Sequence, residues 1–499
     1  MVFTSWAFFR FFLVVLAGLT LAPSRAYRQL VILVASAYFY AYWKPGYLLL
    51  LAAPSLIDYV CAIRIEDTDN AMVRRRWLVV SLVTNLGLLA YFKYTNFFIG
   101  SVSALLGVQP RHLDITLPVG ISFFTFKTLS YTIDVYRREI KTCRSLWQYA
   151  MFVAYFPELV AGPIVRASVF LPQLGRSLTP SWPRTMVGLQ VVLLGVTKKL
   201  VIADRLSIFA DAVFARPNTY SPLTVASAVV AYSLQIYCDF SGYSDIAIGV
   251  SKIIGFDLPE NFNMPYSATS ITEFWHRWHI TLSQWLRDYL YIPLGGNRKG
   301  KWRSYVNLLA TMLLGGLWHG ASWTFVFWGL LHGVGLIVHK LWRNKAVDRP
   351  SPFHGVVGWL VTYAFVCVTW VFFRAPDFGT AMVIVRKLAG LSSGGTELVY
   401  APLFVLLPVI VLAHVLGKVA AQRARVPGAT PRRVSAPGWA ERFYAPFNSP
   451  FAIKPSKAAG LYVLLPLPGF AGSLVLTMWL VGVFLFAVLN TTPFIYFQF

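Results

Sequence analysis

The chain has 499 residues, of which 57% are hydrophobic, 16% aromatic and only 13% charged. A soluble protein of this size carries about 25% charged residues, so the composition excludes a set of soluble domains and specifies a polytopic helical membrane protein. The net charge of +24 does not call for a nucleic-acid partner here, because Lys and Arg collect in cytoplasmic loops, where they fix topology against membrane lipid.

Apolar stretches recur at the ~20-residue length that crosses the hydrocarbon as a helix. They are continuous, unlike the ~10-residue alternating strands of a barrel. In chain order they fall near 3–22, 29–43, 47–63, 77–97, 115–135, 147–163, 186–203, 222–238, 240–256, 305–317, 321–339, 356–373, 398–417 and 460–490. Several are short or broken by Gly and Pro. The expectation is an all-α integral membrane protein with about 11 to 14 membrane-embedded helices, some re-entrant. The first run, Trp6 to Ala22, lacks a convincing cleavage motif and is read as a membrane helix rather than a signal peptide. Cys61, Cys143, Cys238 and Cys367 are scattered without a CxxC pair and read as ordinary thiols.

Positive charges orient the chain. Arg25 and Arg28 follow the first span, Arg64 and Arg74 to Arg76 the third, and Arg137, Arg138, Lys141 and Arg144 the fifth, whereas 98–114 carries only Arg111. The positive-inside rule places the loops at 23–28, 64–76 and 137–144 in the cytoplasm and the N-terminus outside. The long basic segment 418–457 reads as a polar cytoplasmic loop within a single membrane domain spanning 1–499. A surface for an acidic partner or lipid headgroups is the sharper alternative for it.

Three polar islands interrupt the apolar chain. AYFPELVAGPIVR (154–166) holds Glu158, and QIYCDFSGYSDIAIG (235–249) holds Asp239 and Asp245. Intramembrane acids are costly and either pair or line a pathway; Arg166, Lys252 and Lys127 are the available partners. ITEFWHRWHITLSQWLRDYLYIPLGGNRKGKWR (271–303) mixes Trp275, Trp278 and Trp285 with His276 and His279. Its aromatic and Arg density suits a membrane interface, and helical spacing would put the two histidines on neighbouring positions. Glu273-x-x-His276 has the spacing of half a di-iron site, but no second copy and no HExxH exist, so no metal is expected.

LLGGLWHGASWTFVFWGLLHG (313–333) lies within 305–339, which is free of Asp, Glu, Lys and Arg yet carries His319, His332 and His339. As one helix it would run ~52 Å, far more than a membrane needs, so it must break. Gly315, Gly316 and Gly320 mark the break. Broken backbone at membrane depth persists only where protein or a cavity satisfies it, which puts His319 on an internal cavity. His339, followed by Lys340, reads as interfacial, and His332 stays undecided. An imidazole, with its ordinary pKa of ~6.5, can take a proton from a hydroxyl. The chain has no GxSxG elbow, Walker loop or GxGxxG fingerprint. That removes support from hydrolase, ATPase and dehydrogenase chemistry and leaves acyl transfer to a hydroxyl open. A polysaccharide or ion transporter working through Glu158, Asp239 and Asp245, or an assembly scaffold, is the rival class.

FWHRWHITLSQWLRDYLYIPLGGNRKG followed by LLGGLWHGASWTFVFWGLLHG resembles the membrane-bound O-acyltransferase family, in its bacterial alginate O-acetyltransferase branch. MVFTSWAFF, YFKYTNFF, LPVGISFFTFKTLSYTIDVYR, YFPELVAGPIVR and YCDFSGYSDIAIG are similar too, and the likeness extends to about residue 390. The resemblance implies helices in a ring around a thinned centre, where a tunnel joins a cytoplasmic thioester donor to an acceptor from the other face. It maps the family's histidine to His319, as general base or acyl-handling residue, and a second polar position to His279, as the residue that orients or polarises. The branch usually carries Arg or Lys where this chain has His276. An acetyl thioester such as acetyl-CoA is the implied donor, its phosphates offered Arg298, Lys299, Lys301 and Arg303 if these face the cytoplasm. Separate periplasmic acetyltransferase partners, a polysaccharide acceptor (alginate, or cellulose or peptidoglycan instead) and the bacterial inner membrane complete what the resemblance implies.

Overall fold

The computed structural model describes residues 1–159, 162–175, 181–343, 352–423, 470–488 and 494. Among them the chain is helical and forms no strand, so the all-α expectation holds. Chain order begins with α1 (Trp6–Leu21), α2 (Arg25–Ala41), α3 (Tyr47–Glu66) and α4 (Ala71–Leu89), which passes through a π turn at Ala90–Tyr94 into α5 (Thr95–Leu106). Next come α6 (Ile121–Tyr136), α7 (Leu146–Ala154) and two four-residue helices, α8 (Phe156–Leu159) and α9 (Ala167–Phe170). Then α10 (Trp182–Val196) continues through a π turn at Thr197–Ala203 into α11 (Asp204–Ala215). After α12 (Pro222–Ile254) the chain breaks into α13 (Ile271–Arg277) and α14 (Ile280–Leu286), which ends in a π turn at Arg287–Tyr291. The remainder is α15 (Gly300–His319), α16 (Trp323–Arg343), α17 (Pro352–Arg374), α18 (Phe378–Leu388), α19 (Ala401–Arg423) and α20 (Phe470–Phe486).

Six helices among the described residues are long and apolar enough to cross a membrane: Tyr47–Glu66, Ala71–Leu106, Arg184–Ala215, Pro222–Ile254, Trp323–Arg343 and Gly355–Arg374. The chain is a multi-pass membrane protein. Several helix starts are capped by a side chain. Ser5, Ser24, Ser145 and Ser221 each accept a first-turn amide on the side-chain oxygen, as Asn70 does for Met72 and Val73.

Two expectations from the sequence change. The stretches 222–238 and 240–256 are one 33-residue helix, α12, about 50 Å long. Asp239 and Asp245 do not interrupt it, because lysines from the neighbouring π turn meet them. Lys199 Nζ lies 2.7 Å from both Asp204 Oδ1 and Asp239 Oδ1, and Lys198 Nζ lies 2.6 Å from Asp245 Oδ2. Glycines on both helices bring the backbones together. A Cβ on Gly242 would stand 2.8 Å from the Gly195 carbonyl, and one on Gly249 2.6 Å from that of Gly188, a small-residue seam of the kind that packs membrane helices. Of the six spans, α12 is the most buried. The second change is at 418–457. Residues 418–423 continue α19, and 424–457 lies outside the described residues, as do 460–469 of the last apolar stretch.

Ion pairs fasten the basic loops to each other. Arg138 meets Asp69, and Arg144 meets Asp67 and Glu66, while Arg74 donates to the Tyr136 carbonyl. The loops at 64–76 and 137–144 therefore share one face of the membrane, as the charge pattern expects.

Candidate active site

The histidine-bearing stretch breaks where glycine was expected to break it, but at one residue. α15 ends on His319, Gly320 is extended, and α16 returns antiparallel from Trp323. A Cβ on Gly320 would stand 2.2 Å from the Phe325 ring, so the turn admits no side chain there. Gly315 and Gly316 remain helical. Gly316 instead forms a crossing point with α16: its Cβ would meet the Phe325 carbonyl at 2.2 Å, and a Cβ on Gly329 would meet the Met312 carbonyl at 2.3 Å. Lys340 closes the open end of this hairpin, donating to Asn297 Oδ1 and Ser304 Oγ at 2.7 Å each.

A helix end in a membrane leaves carbonyls without donors. Here the first π turn supplies them. Tyr94 Oη donates to the Leu317 carbonyl at 3.0 Å; Lys93 Nζ donates to those of Trp318 and His319, the latter at 3.2 Å, and to Ser122 Oγ at 3.2 Å. A cation at a helix C-terminus also opposes the negative end of the helix dipole. The His319 ring, 4% exposed, is held edge-on by Trp318, Trp328 and Phe373, with ring centroids at 5.1, 5.0 and 5.3 Å.

His279 occupies a second break. Sequence spacing put it on one helix with His276, but the chain leaves helical geometry between α13 and α14. Trp278 is extended and His279 has φ 41° and ψ 56°, a left-handed conformation that costs a residue with a Cβ and persists only where its surroundings over-determine it. His276 faces outward, whereas His279 is wholly buried. Its Nδ1 lies 3.1 Å from Asn261 Oδ1. The Nε2 atom has no hydrogen-bond partner among the described residues. Trp318 stands between the two histidines, its ring 6.3 Å from His279 and 5.1 Å from His319. The structure thus brings together the two residues singled out from the sequence. The indole N–H groups of Trp318 and Trp328 are buried without a hydrogen bond among the described residues, donors that still need an acceptor.

Other candidates are accounted for. His332 accepts from Trp275 Nε1 at 3.2 Å on Nδ1 and meets Thr369 Oγ1 at 3.0 Å on Nε2, so both ring nitrogens are occupied in packing. His339 Nδ1 meets Thr272 Oγ1 at 2.8 Å. Glu273 is taken up by Thr269 and Arg277 and does not converge with His276. Glu158 pairs with Lys127; Arg166 goes to Asp288 and Lys252 to Asp257 instead. Trp275, Trp278 and Trp285 are buried in protein, not set at an interface. Their density reflects the aromatic wall around the two breaks. Arg298, Lys299, Lys301 and Arg303 are exposed at the opposite end of α15, about 30 Å along the helix from His319. Nearby, Arg137, Arg166, Asp288 and Tyr289 line a cleft of about 330 Å³.

The sequence reading missed Lys93, Asn261 and Asp58. Lys93 carries the signal of a cation inside an apolar run. Asp58 is a buried carboxyl on α3 held by Ser81 Oγ at 2.6 Å and Asn85 Nδ2 at 2.8 Å. Asn261 sits in a loop with no local signal at all.

Comparison with known proteins follows the same residues. The model of the membrane-bound O-acyltransferase family matches residues 32–375. The chain is 43% identical over 386 residues to the probable alginate O-acetylase AlgI of Pseudomonas aeruginosa, covering 76% of this chain and 73% of that protein. It is 37% identical over 397 residues to the peptidoglycan O-acetyltransferase of Helicobacter pylori, covering 74% and 75% respectively. Similarity extends at 28% over 285 residues, 54% of this chain and 72% of the relative, to the teichoic acid D-alanyltransferase of Bacillus subtilis.

Proposed function

The chain belongs to the membrane-bound O-acyltransferase family, and from that premise we propose that it takes acetyl from a cytoplasmic thioester, acetyl-CoA or another acetyl thioester, and passes it across the bacterial inner membrane for O-acetylation of an exopolysaccharide, alginate foremost. The observation that carries this reading is the pair of buried imidazoles, each in ring contact with Trp318 and each at a break between helices. Acyl transfer to a hydroxyl needs a base within a water-poor site, a place for the oxyanion, and access from both faces.

In the proposed reaction His319 removes the proton from the attacking hydroxyl, or handles the acyl group directly. The hydroxyl oxygen bonds to the thioester carbonyl carbon, whose C=O electrons move onto oxygen. Collapse of that tetrahedral species breaks the C–S bond, and the proton held by the imidazole leaves with the thiol. The buried indole N–H groups of Trp318 and Trp328, without a partner among the described residues, are suited to hold the oxyanion. His279 orients or polarises the reacting oxygen. The exposed cations Arg298, Lys299, Lys301 and Arg303 lie at the start of α15, and we assign them to the face of the 137–144 loop because Arg137 donates to the carbonyl of Asp288, in the preceding π turn, at 3.1 Å. That face is where a donor's phosphates would arrive, with the N-terminus on the periplasmic side by the charge pattern. A periplasmic acetyltransferase partner would carry acetyl to the glycan.

Alginate as the acceptor is supported by the name and 43% identity of the Pseudomonas aeruginosa relative. Peptidoglycan is the second reading, favoured by the Helicobacter pylori relative over a similar length. The transporter alternative loses support because Glu158, Asp239 and Asp245 each hold a lysine.

The test is acetyl transfer by the purified protein from an acetyl thioester to alginate oligomers or muropeptides, with the periplasmic partner added. His319→Ala is expected to lower turnover by roughly 10²- to 10⁴-fold, the usual contribution of a positioned base. Transfer at the ordinary rate by that variant overturns the reading, and the preferred oligomer decides between the acceptors.

A further inference from the structure

The hydrogen bonds around His279 are more specific than packing requires. Asn261 is buried, and its Oδ1 receives the Thr281 backbone N–H at 3.3 Å and the Thr281 hydroxyl at 2.9 Å, besides lying 3.1 Å from His279 Nδ1. A backbone N–H can only donate, so the amide atom facing it must be the oxygen. The Thr281 hydroxyl is itself oriented, because its oxygen accepts the Ile164 N–H at 3.0 Å and leaves its proton for Asn261. The amide nitrogen points the other way, donating to Ser244 Oγ on α12 at 3.3 Å. The Asn261 carbonyl takes the Ile280 N–H at 2.9 Å, which locks the loop against the residue after His279.

An oxygen that only accepts requires a proton on His279 Nδ1. The other ring nitrogen, Nε2, then carries the lone pair, and it is the atom with no partner among the described residues. We propose that Asn261 is a positioning residue that fixes His279 in the Nδ1–H tautomer and presents Nε2 as the hydrogen-bond acceptor that orients the reacting hydroxyl, whose proton goes to His319. The assignment rests on the acyl-transfer reading above and gives His279 a direction: it accepts from the hydroxyl and does not donate to the thioester carbonyl. It also explains the left-handed backbone at 279, which the Ile280–Asn261 bond and the ring contact hold in place. Three sequence islands far apart in the chain, around Ile164, Ser244 and His279, converge on this one amide.

The experiment measures kcat and KM for acetyl transfer in Asn261→Leu, Asn261→Asp, His279→Ala and the double variant Asn261→Leu/His279→Ala, each purified as a monodisperse full chain. Asn261→Leu removes the acceptor and is expected to lower kcat roughly 10- to 100-fold, as loss of an outer-shell partner does, with KM for the thioester within a few-fold. Asn261→Asp keeps an acceptor oxygen against Nδ1 and is expected to recover most of that loss. In the His279→Ala background Asn261→Leu is expected to cost nothing further, because a residue acting only through His279 has nothing left to act on. If the Leu variant is not monodisperse, Asn261→Gln, which displaces the amide by one methylene, replaces it and is read the same way. Wild-type kcat in Asn261→Leu with an inactive His279→Ala overturns the positioning role alone. So does a further loss in the double variant, which marks a structural role. Wild-type turnover in His279→Ala and His319→Ala overturns the acyl-transfer site itself.

Discussion

Single side chains decide whether the two breaks work as a site. Lys93 Nζ spends its donors on Ser122 and the last two carbonyls of α15. Lys93→Met leaves those acceptors buried, at about 1.5–3 kcal/mol for bonds made by a charged group. We expect a lowered thermal midpoint in detergent and a turnover loss larger than the loss of folded protein, because the His319 backbone is no longer pinned. His332→Phe is the contrasting case. It strands the Trp275 indole, whereas the Thr369 hydroxyl keeps its bond to the Val366 carbonyl; the cost is about 1–3 kcal/mol, yet the folded fraction should keep wild-type kcat. His319 and His279 were legible in the sequence through glycine placement and the family likeness. Asn261 was not, because its partner lies across a loop and its value is in an atom-level bond rather than in any spacing. Helical spacing from His276, which does lie on α13, did not carry on to His279, where the backbone turns left-handed.

Among the described residues the three π turns each carry charge to a protected place: Lys93 at the break after His319, Lys198 and Lys199 against the acids of α12, and Asp288 against Arg166. A π turn widens the helix by a residue and lets a side chain leave the regular ridge, and such turns gather at functional sites. No hydrophobic period announces them, which is why the sequence reading split α12 at its acids and placed their lysine partners nowhere. The glycine seam between α10 and α12 is equally specific. Gly242→Val has to push its side chain into the Gly195 carbonyl, and overpacking of this kind typically costs 1–3 kcal/mol or more. We expect size-exclusion chromatography to show aggregation or loss of the monodisperse peak. Gly107→Ala is a weak comparison, since its own φ of 67° strains a side chain; Gly87→Ala, in open space on α4, should leave the peak unchanged.

At the scale of the molecule, composition sufficed for the class and the positive charges for setting two loops on the same side. The ion pairs between 64–76 and 137–144 add a physical tie that charge counting alone lacks. Asp69→Cys and Arg138→Cys should therefore behave alike in a background without native cysteines: protected from a membrane-impermeant maleimide in intact cells, labelled after permeabilisation. Labelling of one but not the other contradicts the shared face. The tie between Lys93 and the end of α15 has a consequence in time. Its partners lie 225 and 226 residues later in the chain, and a ribosome adding roughly 5–20 residues per second needs about 11 to 45 seconds to reach them. Throughout that interval a lysine sits in a newly inserted span without the carbonyls that will receive it, so the nascent protein has to keep it hydrated or sheltered. The last helix hairpin of the site is also the step that dries it.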